Sequence, residues 1–109
     1  MLKVCNIDIE QREKIYKRLK QFVRKLRQKF LIQEIYLFGS GARGELHEGS
    51  DIDLMIVGDF KGKMPERIGQ VLKLTDLPIE PLVYTPQEFE RFKVNNSFIK
   101  RIIRTGKKL

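Results

Sequence analysis

Cysteine is almost absent from this sequence of 109 residues, in which Cys5 stands alone. A lone cysteine excludes a disulfide framework and predicts a reducing compartment, the cytoplasm. A role for Cys5 as a nucleophile has little support in the sequence. Long hydrophobic runs are also missing, since none approaches the roughly 20 residues of a membrane helix. The N-terminal segment turns charged too soon for a signal peptide. These absences predict a cytoplasmic protein that does not enter a membrane.

The composition is that of a small soluble protein. Hydrophobic residues make up 41% and charged residues 33% of the sequence. No linker, repeat or low-complexity tract divides it, which predicts a single domain over residues 1–109. The net charge of +8 is concentrated near the two ends, in the segments 12–29 and 100–108. Such a surface can meet nucleic acid, a nucleotide or an acidic protein, although a solvated helix face is the simpler interpretation.

Helical periodicity marks the first part of the chain. Apolar residues recur at helical spacing over 9–30 and predict one amphipathic helix with a core-facing stripe of Ile15, Leu19, Phe22, Val23, Leu26 and Phe30. Asp8 and Gln11 have the spacing of a capping box at its start. A second capping box, Thr85 with Glu88, predicts a helix from residue 86. Two more helices are expected over 65–74 and over 97–105, the last with a buried side of Phe98, Ile99, Ile102 and Ile103.

Three short segments have the composition of strands. They cover residues 34–38, 51–57 and 79–85 and are rich in β-branched or aromatic residues. Pro81 within the third segment favours an edge position, because proline cannot donate a hydrogen bond to a neighbouring strand. Together with the helices, these strands predict an α/β (α+β) fold in which a small mixed sheet packs against helices.

Two aspartates interrupt the second strand segment, DIDLMIV. Residues two apart in a strand share a face, so Asp51 and Asp53 are expected on one face while Ile52, Leu54 and Ile56 point to a helix layer on the other. Two carboxylates a few ångströms apart repel by about 4 kcal/mol at an effective dielectric near 20. A bridging divalent cation with oxygen ligands, Mg²⁺ above all, would make the pair tolerable.

A glycine-rich segment, GSGARG, follows the first strand. Gly39 lets the backbone approach a phosphate without a Cβ in the way, and Ser40 offers a hydroxyl. A helical turn after them would present N–H groups to an anion. Glycine-rich turns alone are common, and most only reverse the chain. The combination of Gly-Ser, ten intervening residues and Asp-x-Asp on the next strand is much more specific.

The segment GSGARGELHEGSDIDL resembles the signature of the minimal nucleotidyltransferases, the smallest members of the polymerase-beta-like nucleotidyltransferase superfamily. The matching positions are Gly39, Ser40, Ala42, Arg43, Gly44, Ser50, Asp51, Asp53 and Leu54. The resemblance continues into IEPLVYTPQEFE, where the family has a third strand with another carboxylate and a threonine-proline turn before a helix. It covers essentially the whole chain and implies the nucleotidyltransferase fold.

The resemblance implies a metal-dependent transfer of AMP, or another nucleoside monophosphate, from a nucleoside triphosphate such as ATP to an acceptor hydroxyl. Asp51 and Asp53 would hold two Mg²⁺ ions, and Gly39 and Ser40 would cradle the β- and γ-phosphates. Glu80 would be the third carboxylate, which completes the metal site and takes the proton of the acceptor. Many relatives have aspartate here, so an ordinary strand-end carboxylate is the other interpretation of Glu80.

The remaining residues of the signature keep more than one interpretation. Arg43 would contact phosphate and stabilise the leaving pyrophosphate, or pair with an acid such as Glu45 or Asp51 and fix the loop. Ser50 belongs to the nucleotide-binding segment as a turn residue that positions Asp51 rather than as a catalyst. His47, the only histidine, lies between the two halves of the signature, where a solvated position is simpler than a role as ligand or base.

The predicted core uses the whole chain, so recognition of base and acceptor is expected to come from a partner or from self-association. The resemblance implies a small HEPN-domain protein encoded nearby, with which the transferase forms a toxin–antitoxin hetero-oligomer and adenylylates a tyrosine of the toxin. One alternative is a slow or silent antitoxin that neutralises its partner by binding. A weaker one is a domain that binds nucleic acid or modifies an RNA end. Clustered carboxylates favour the enzyme, because a pure binder does not need them.

Overall fold

The computed structural model describes residues 2–46 and 49–109, with side chains from residue 9 onward within those ranges. The predictions for the Cys5 side chain and for His47 lie outside the described residues. The elements in this part of the chain are α1 (Leu2–Lys29), β1 (Ile32–Phe38), a 3-10 turn (Gly39–Gly41), β2 (Ile52–Gly58), α2 (Met64–Leu72), β3 (Ile79–Tyr84), α3 (Pro86–Asn95), α4 (Ser97–Thr105) and β4 (Lys107–Lys108). None of these helices has the length and apolar character that crossing a membrane requires.

The strands form one mixed sheet in the order β3-β2-β1-β4. β1 is antiparallel to both β2 and β4, whereas β2 and β3 are parallel. The chain passes through α2 between the two parallel strands, as parallel pairing requires. β3 lies at an edge of the described sheet, in agreement with the prediction from Pro81. The predicted fold class, a small mixed sheet packed against helices, is confirmed.

Side chains of β2 point alternately to the two faces of the sheet and contribute to two separate layers of the core. Ile52, Leu54 and Ile56 are buried on the face that packs against α1. The stripe of α1 is as predicted, with Leu19, Phe22, Val23 and Leu26 buried and Ile15 and Phe30 partly buried against them. Met55 and Val57 point to the opposite face, where they join a second cluster with α3 and α4. Asp53 is the one residue of β2 that is not buried.

Several boundaries differ from the prediction. α1 begins at Leu2, so Asp8 and Gln11 lie inside the helix rather than at its start. β2 begins at Ile52, which leaves Asp51 just before the strand. The two-residue β4 is absent from the prediction, because a pair of lysines carries no strand signal. Its pairing with β1 is a tertiary contact, which local sequence does not encode.

An ion pair joins α2 to α3. The predicted capping box is present, because the Thr85 hydroxyl accepts from the Glu88 N–H at 3.2 Å and Glu88 Oε1 accepts from the Thr85 N–H at 2.9 Å. The same Oε1 accepts a hydrogen bond from Arg67 Nη1 at 2.6 Å. The Arg67 guanidinium also donates to the carbonyl oxygens of Gly62 and Val83. Burial raises the pKa of Glu88, but these bonds and the Arg67 charge outweigh it, so the pKa lies below its ordinary 4.5.

Replacing this carboxylate, in Glu88→Gln, should lower the free energy of unfolding at neutral pH by about 1–2 kcal/mol, because the Arg67 guanidinium loses its charged partner. The pKa of Glu88 is lower in the folded chain than in the unfolded one. The stabilisation is therefore present above pH 4.5 and is lost as the pH falls through the folded pKa. Urea unfolding of both proteins across this range measures the effect.

The control is Glu90→Gln on the same helix, which removes the exposed pair between Glu90 and Lys93. Exposed pairs contribute little, so this variant should lose less than about 0.5 kcal/mol. Equal losses in the two variants, or a Glu88→Gln loss that does not change with pH, would contradict the assignment.

Candidate active site

The loop after β1 brings a glycine against an aspartate. Gly39 begins the 3-10 turn with φ of +67°, a left-handed conformation that glycine adopts without steric penalty. A Cβ on Gly39 would lie 2.5 Å from Asp53 Oδ2, which is closer than carbon and oxygen can approach without bonding. Gly39 therefore serves both the turn and the close approach of the Asp53 carboxylate.

The register of the parallel strands places the carboxylate of Glu80 next to that of Asp53. Asp53 of β2 lies opposite Glu80 of β3, and Asp51 precedes β2 by one residue. The charge of Asp51 raises the pKa of Glu80, and burial, the charge of Asp53 and hydrogen bonds to both aspartates add to it. Burial raises the pKa of Asp53, and the charge of Asp51 raises it further, whereas a hydrogen bond donated by Glu80 lowers it. The charge of Asp51 is thus close enough to raise the pKa of both Asp53 and Glu80.

The chemistry of this donor set fits a divalent cation. Carboxylate oxygens are the ligands of hard cations such as Mg²⁺. Carboxyl groups whose pKa is raised by burial and by a neighbouring negative charge gain most from nearby positive charge. Within the described ranges, no three His, Cys, Asp or Glu side chains are already arranged to hold a metal ion. Bound positive charge would offset the repulsion among the negative carboxylates.

The other predicted residues belong to the same loop. Ser40 lies within the 3-10 turn, and its carbonyl oxygen accepts from the N–H groups of Arg43 at 3.1 Å and Glu45 at 3.0 Å. Arg43 Nε donates to Glu45 Oε1 at 3.1 Å, and both side chains are exposed. This is the loop-fixing alternative of the two predicted for Arg43. Ser50 is half-buried directly before Asp51.

α1 holds this loop through two side-chain hydrogen bonds, which local sequence patterns did not predict. The Tyr16 hydroxyl donates to the carbonyl oxygen of Gly41 at 2.5 Å, and Arg12 Nη1 donates to that of Gly44 at 3.2 Å. Burial raises the pKa of Tyr16, against an opposing effect of the Arg12 charge, so the hydroxyl keeps its proton. Periodicity assigns both residues only to a helix, because partners 25 and 32 positions away leave no local signal.

An apolar hollow of about 520 Å³ adjoins the carboxyl groups. Its walls are Asp53 and Glu80 together with Phe38, Ile68, Leu72, Ile79, Pro81, Leu82 and Phe98. Phe98 is 49% exposed, so the prediction that it belongs to the buried side of α4 is wrong. It packs edge-on against Phe38, with ring centroids 5.8 Å apart, and it also lines the hollow. Leu72 is also 40% exposed.

Comparisons with known proteins identify the family of this chain. The family described as nucleotidyltransferase domain matches residues 19–105. A protein of Methanocaldococcus jannaschii, provisionally named a protein adenylyltransferase, is 35% identical over 96 residues, which are 85% of this chain and 95% of the relative. The fold and the match together define a nucleotide-transferring enzyme. The chain belongs to the nucleotidyltransferase domain family, as one of its minimal members.

Two solved structures are also similar. The crystal structure of a provisionally assigned nucleotidyltransferase from Sulfolobus solfataricus has a TM-score of 0.61 and 28% identity, over 76% of this chain and 78% of that one. A crystal structure described as a toxin–antitoxin with AMP-PNP has a TM-score of 0.53 and 21% identity, over 81% of this chain and 69% of that one. At that identity the second likeness shows the fold alone.

Gly39→Ala should weaken nucleotide binding by about tenfold or more, because the new methyl group displaces the Asp53 carboxylate. The matched control is Gly44→Ala in the same loop. Gly44 has φ of +74° but no atom within 4 Å of an added Cβ. Both variants should lose about 1–2 kcal/mol of stability from the left-handed backbone. Calorimetric titration with ATP separates them, and equal loss of binding in both would show that strain, not the carboxylate, is responsible.

Proposed function

We propose that this nucleotidyltransferase moves a nucleoside monophosphate, AMP from ATP in the first instance, onto a hydroxyl of a partner protein in a Mg²⁺-dependent reaction. The observation that carries the proposal is the register of β2 and β3, which sets Asp53 opposite Glu80 beside a glycine turn. Packing does not require this arrangement, because the mutual repulsion of the carboxyl groups opposes folding. A site for cations and phosphate explains it.

Each residue has a role in this proposal. Mg²⁺ ions held by Asp51, Asp53 and Glu80 would supply positive charge to the triphosphate and activate the attacking hydroxyl. Gly39, which has no Cβ, and Ser40 follow β1 and would cradle the β- and γ-phosphates. Ser50 sets the position of Asp51 at the start of β2.

Arg43 requires a change of partner in this scheme. Its pair with Glu45 is exposed on both sides, and such a pair contributes little stability. Arg43 therefore exchanges Glu45 for a phosphate oxygen at small cost when the nucleotide binds. A guanidinium there would stabilise the charge that develops on the leaving pyrophosphate.

The transfer itself is a displacement at the α-phosphorus. The oxygen of the acceptor hydroxyl forms a bond to that phosphorus, and the bond from the phosphorus to the oxygen bridging the α- and β-phosphates breaks. Pyrophosphate leaves, and the acceptor's proton passes to Glu80. Glu80 lies opposite Asp53 in the sheet, where its carboxylate can take the proton of an acceptor that reaches the metal site.

The partner that we propose is a HEPN-domain toxin encoded nearby, modified on a tyrosine in the cytoplasm, with this chain as the antitoxin in a hetero-oligomer. Two likenesses support a protein acceptor of this kind. The archaeal relative carries the provisional name of a protein adenylyltransferase. A structural neighbour is described as a toxin–antitoxin with AMP-PNP. The apolar hollow at Glu80 suits an acceptor whose hydroxyl is carried on an aromatic ring.

Incubation with ATP labelled on its α-phosphate, Mg²⁺ and the neighbouring gene product should label that product. Asp53→Ala should abolish the label and still fold, because it also removes carboxylate repulsion. Asp59→Ala is the matched control, since Asp59 is an exposed aspartate just beyond the other end of β2. This variant should label the partner at the wild-type rate.

The same variants separate catalysis from binding. An Asp53→Ala protein that neutralises its partner fully at equal concentration, without labelling it, would favour the silent antitoxin. Transfer by the wild-type protein at full rate in the absence of any divalent cation would contradict the proposed metal chemistry.

A further inference from the structure

α4 is fixed beside the candidate active site by contacts at both of its ends. At its start, Phe98 packs edge-on against Phe38, and Phe38 lies opposite Asp53 in the β1–β2 ladder. At its end, β4 pairs with β1. Gly106 between them allows close packing, since a Cβ there would lie 2.5 Å from the Ile102 carbonyl oxygen. The side chains of α4 are therefore held in a defined position relative to the glycine loop.

A second cavity, of about 420 Å³, lies between the glycine loop and α4. The loop lines it with Gly39, Ala42 and Arg43, the helix lines it with Phe98, Arg101, Ile102 and Thr105, and Phe38 completes the wall. Phe38 and Phe98 also line the apolar hollow at Glu80. The two aromatic rings thus separate a hollow beside the carboxyl groups from a cavity beside the glycine turn.

Two arginines from different elements, Arg43 of the loop and Arg101 of α4, line this second cavity. Arg43 is paired with Glu45. Arg101 is exposed, and among the described residues no carboxylate lies within ion-pair distance of its guanidinium. The sequence from residue 91 to 109 contains no aspartate or glutamate. Arg101 therefore brings positive charge to the cavity without a counter-charge from its own segment.

We propose that Arg101 binds the terminal phosphates of the nucleoside triphosphate, in the cavity between the glycine loop and α4. The inference rests on the proposed function and adds a phosphate-binding residue that lies far outside the signature segment. A guanidinium presents several donors in one plane and can bind two phosphate oxygens at once. With Arg101 on one side and Gly39 and Arg43 on the other, both walls of the cavity would contact the same polyphosphate.

The shape of the surface favours a nucleotide here over an acidic protein. The cavity lies between two elements and is about the size of a small-molecule site. An acidic protein would instead meet the outer surface of α4, where Lys100, Arg101 and Arg104 line a more open depression with Ser97 and Phe98. Arg104 lines that outer depression and is not among the residues of the inner cavity. A nucleotide in the inner cavity would therefore use Arg101 alone, whereas an acidic protein on the outer surface would use both Arg101 and Arg104.

Calorimetric titration of Arg101→Gln and Arg104→Gln tests this assignment, because both changes remove one exposed positive charge from α4. The probes are ATP, inorganic tripolyphosphate and AMP in the same Mg²⁺ buffer. Arg101→Gln should bind ATP and tripolyphosphate about tenfold more weakly and AMP unchanged. Arg104→Gln should bind all three as the wild type does. Arg101→Lys should recover part of the loss, and thermal unfolding should show that all variants fold equally well.

Several results would overturn the proposal. Equal losses in Arg101→Gln and Arg104→Gln would show that only net charge matters. Unchanged triphosphate binding in Arg101→Gln, with partner labelling reduced equally in both variants, would assign α4 to docking of a protein. In either case the wild type would still bind ATP and transfer its nucleotide, so the proposed function would stand. A wild-type protein that binds neither ATP nor tripolyphosphate would overturn both proposals.

Discussion

The hydrogen-bonded register between β2 and β3 is the constraint on which the candidate site depends. It holds Asp53 opposite Glu80, although neighbouring negative charges repel one another. A flexible loop would relieve such repulsion by moving apart. β2 is buried on both faces and cannot move in this way, because sliding it by one residue would expose Ile52, Leu54 and Ile56. The hydrophobic core thus holds the carboxylates of Asp53 and Glu80 together against their mutual repulsion.

The rest of the site is arranged around this fixed pair. Gly39 lets the loop approach Asp53 closely, and α1 holds the loop through the Tyr16 hydroxyl. On the other side, the contact between Phe38 and Phe98 places α4 next to the same aspartate. Two hollows result, one apolar beside Glu80 and one between the loop and Arg101. This division suits a reaction in which an acceptor and a polyphosphate leaving group lie on opposite sides of one phosphorus atom.

The sequence predicted what local patterns encode and missed what tertiary contacts decide. Periodicity and capping boxes located α3 and α4 and the buried stripe of α1, because these features repeat within a few residues. Family resemblance pointed to Glu80, but the pairing of Glu80 with Asp53 depends on strand register, which no local pattern reveals. Contacts between residues distant in sequence likewise decide the exposure of Phe98, the hydrogen bond from Tyr16 to the loop and the formation of β4.

The most direct test of this account is the thermal unfolding of the wild type and of Asp53→Asn near neutral pH, with and without Mg²⁺. Carboxyl groups held together against their repulsion should make the wild type less stable than Asp53→Asn when no divalent cation is present. Added Mg²⁺ should raise the unfolding midpoint of the wild type, because it binds only the folded chain, and leave the variant nearly unchanged. The account would be contradicted by a wild-type unfolding midpoint that does not change on addition of Mg²⁺ and that lies above the midpoint of Asp53→Asn.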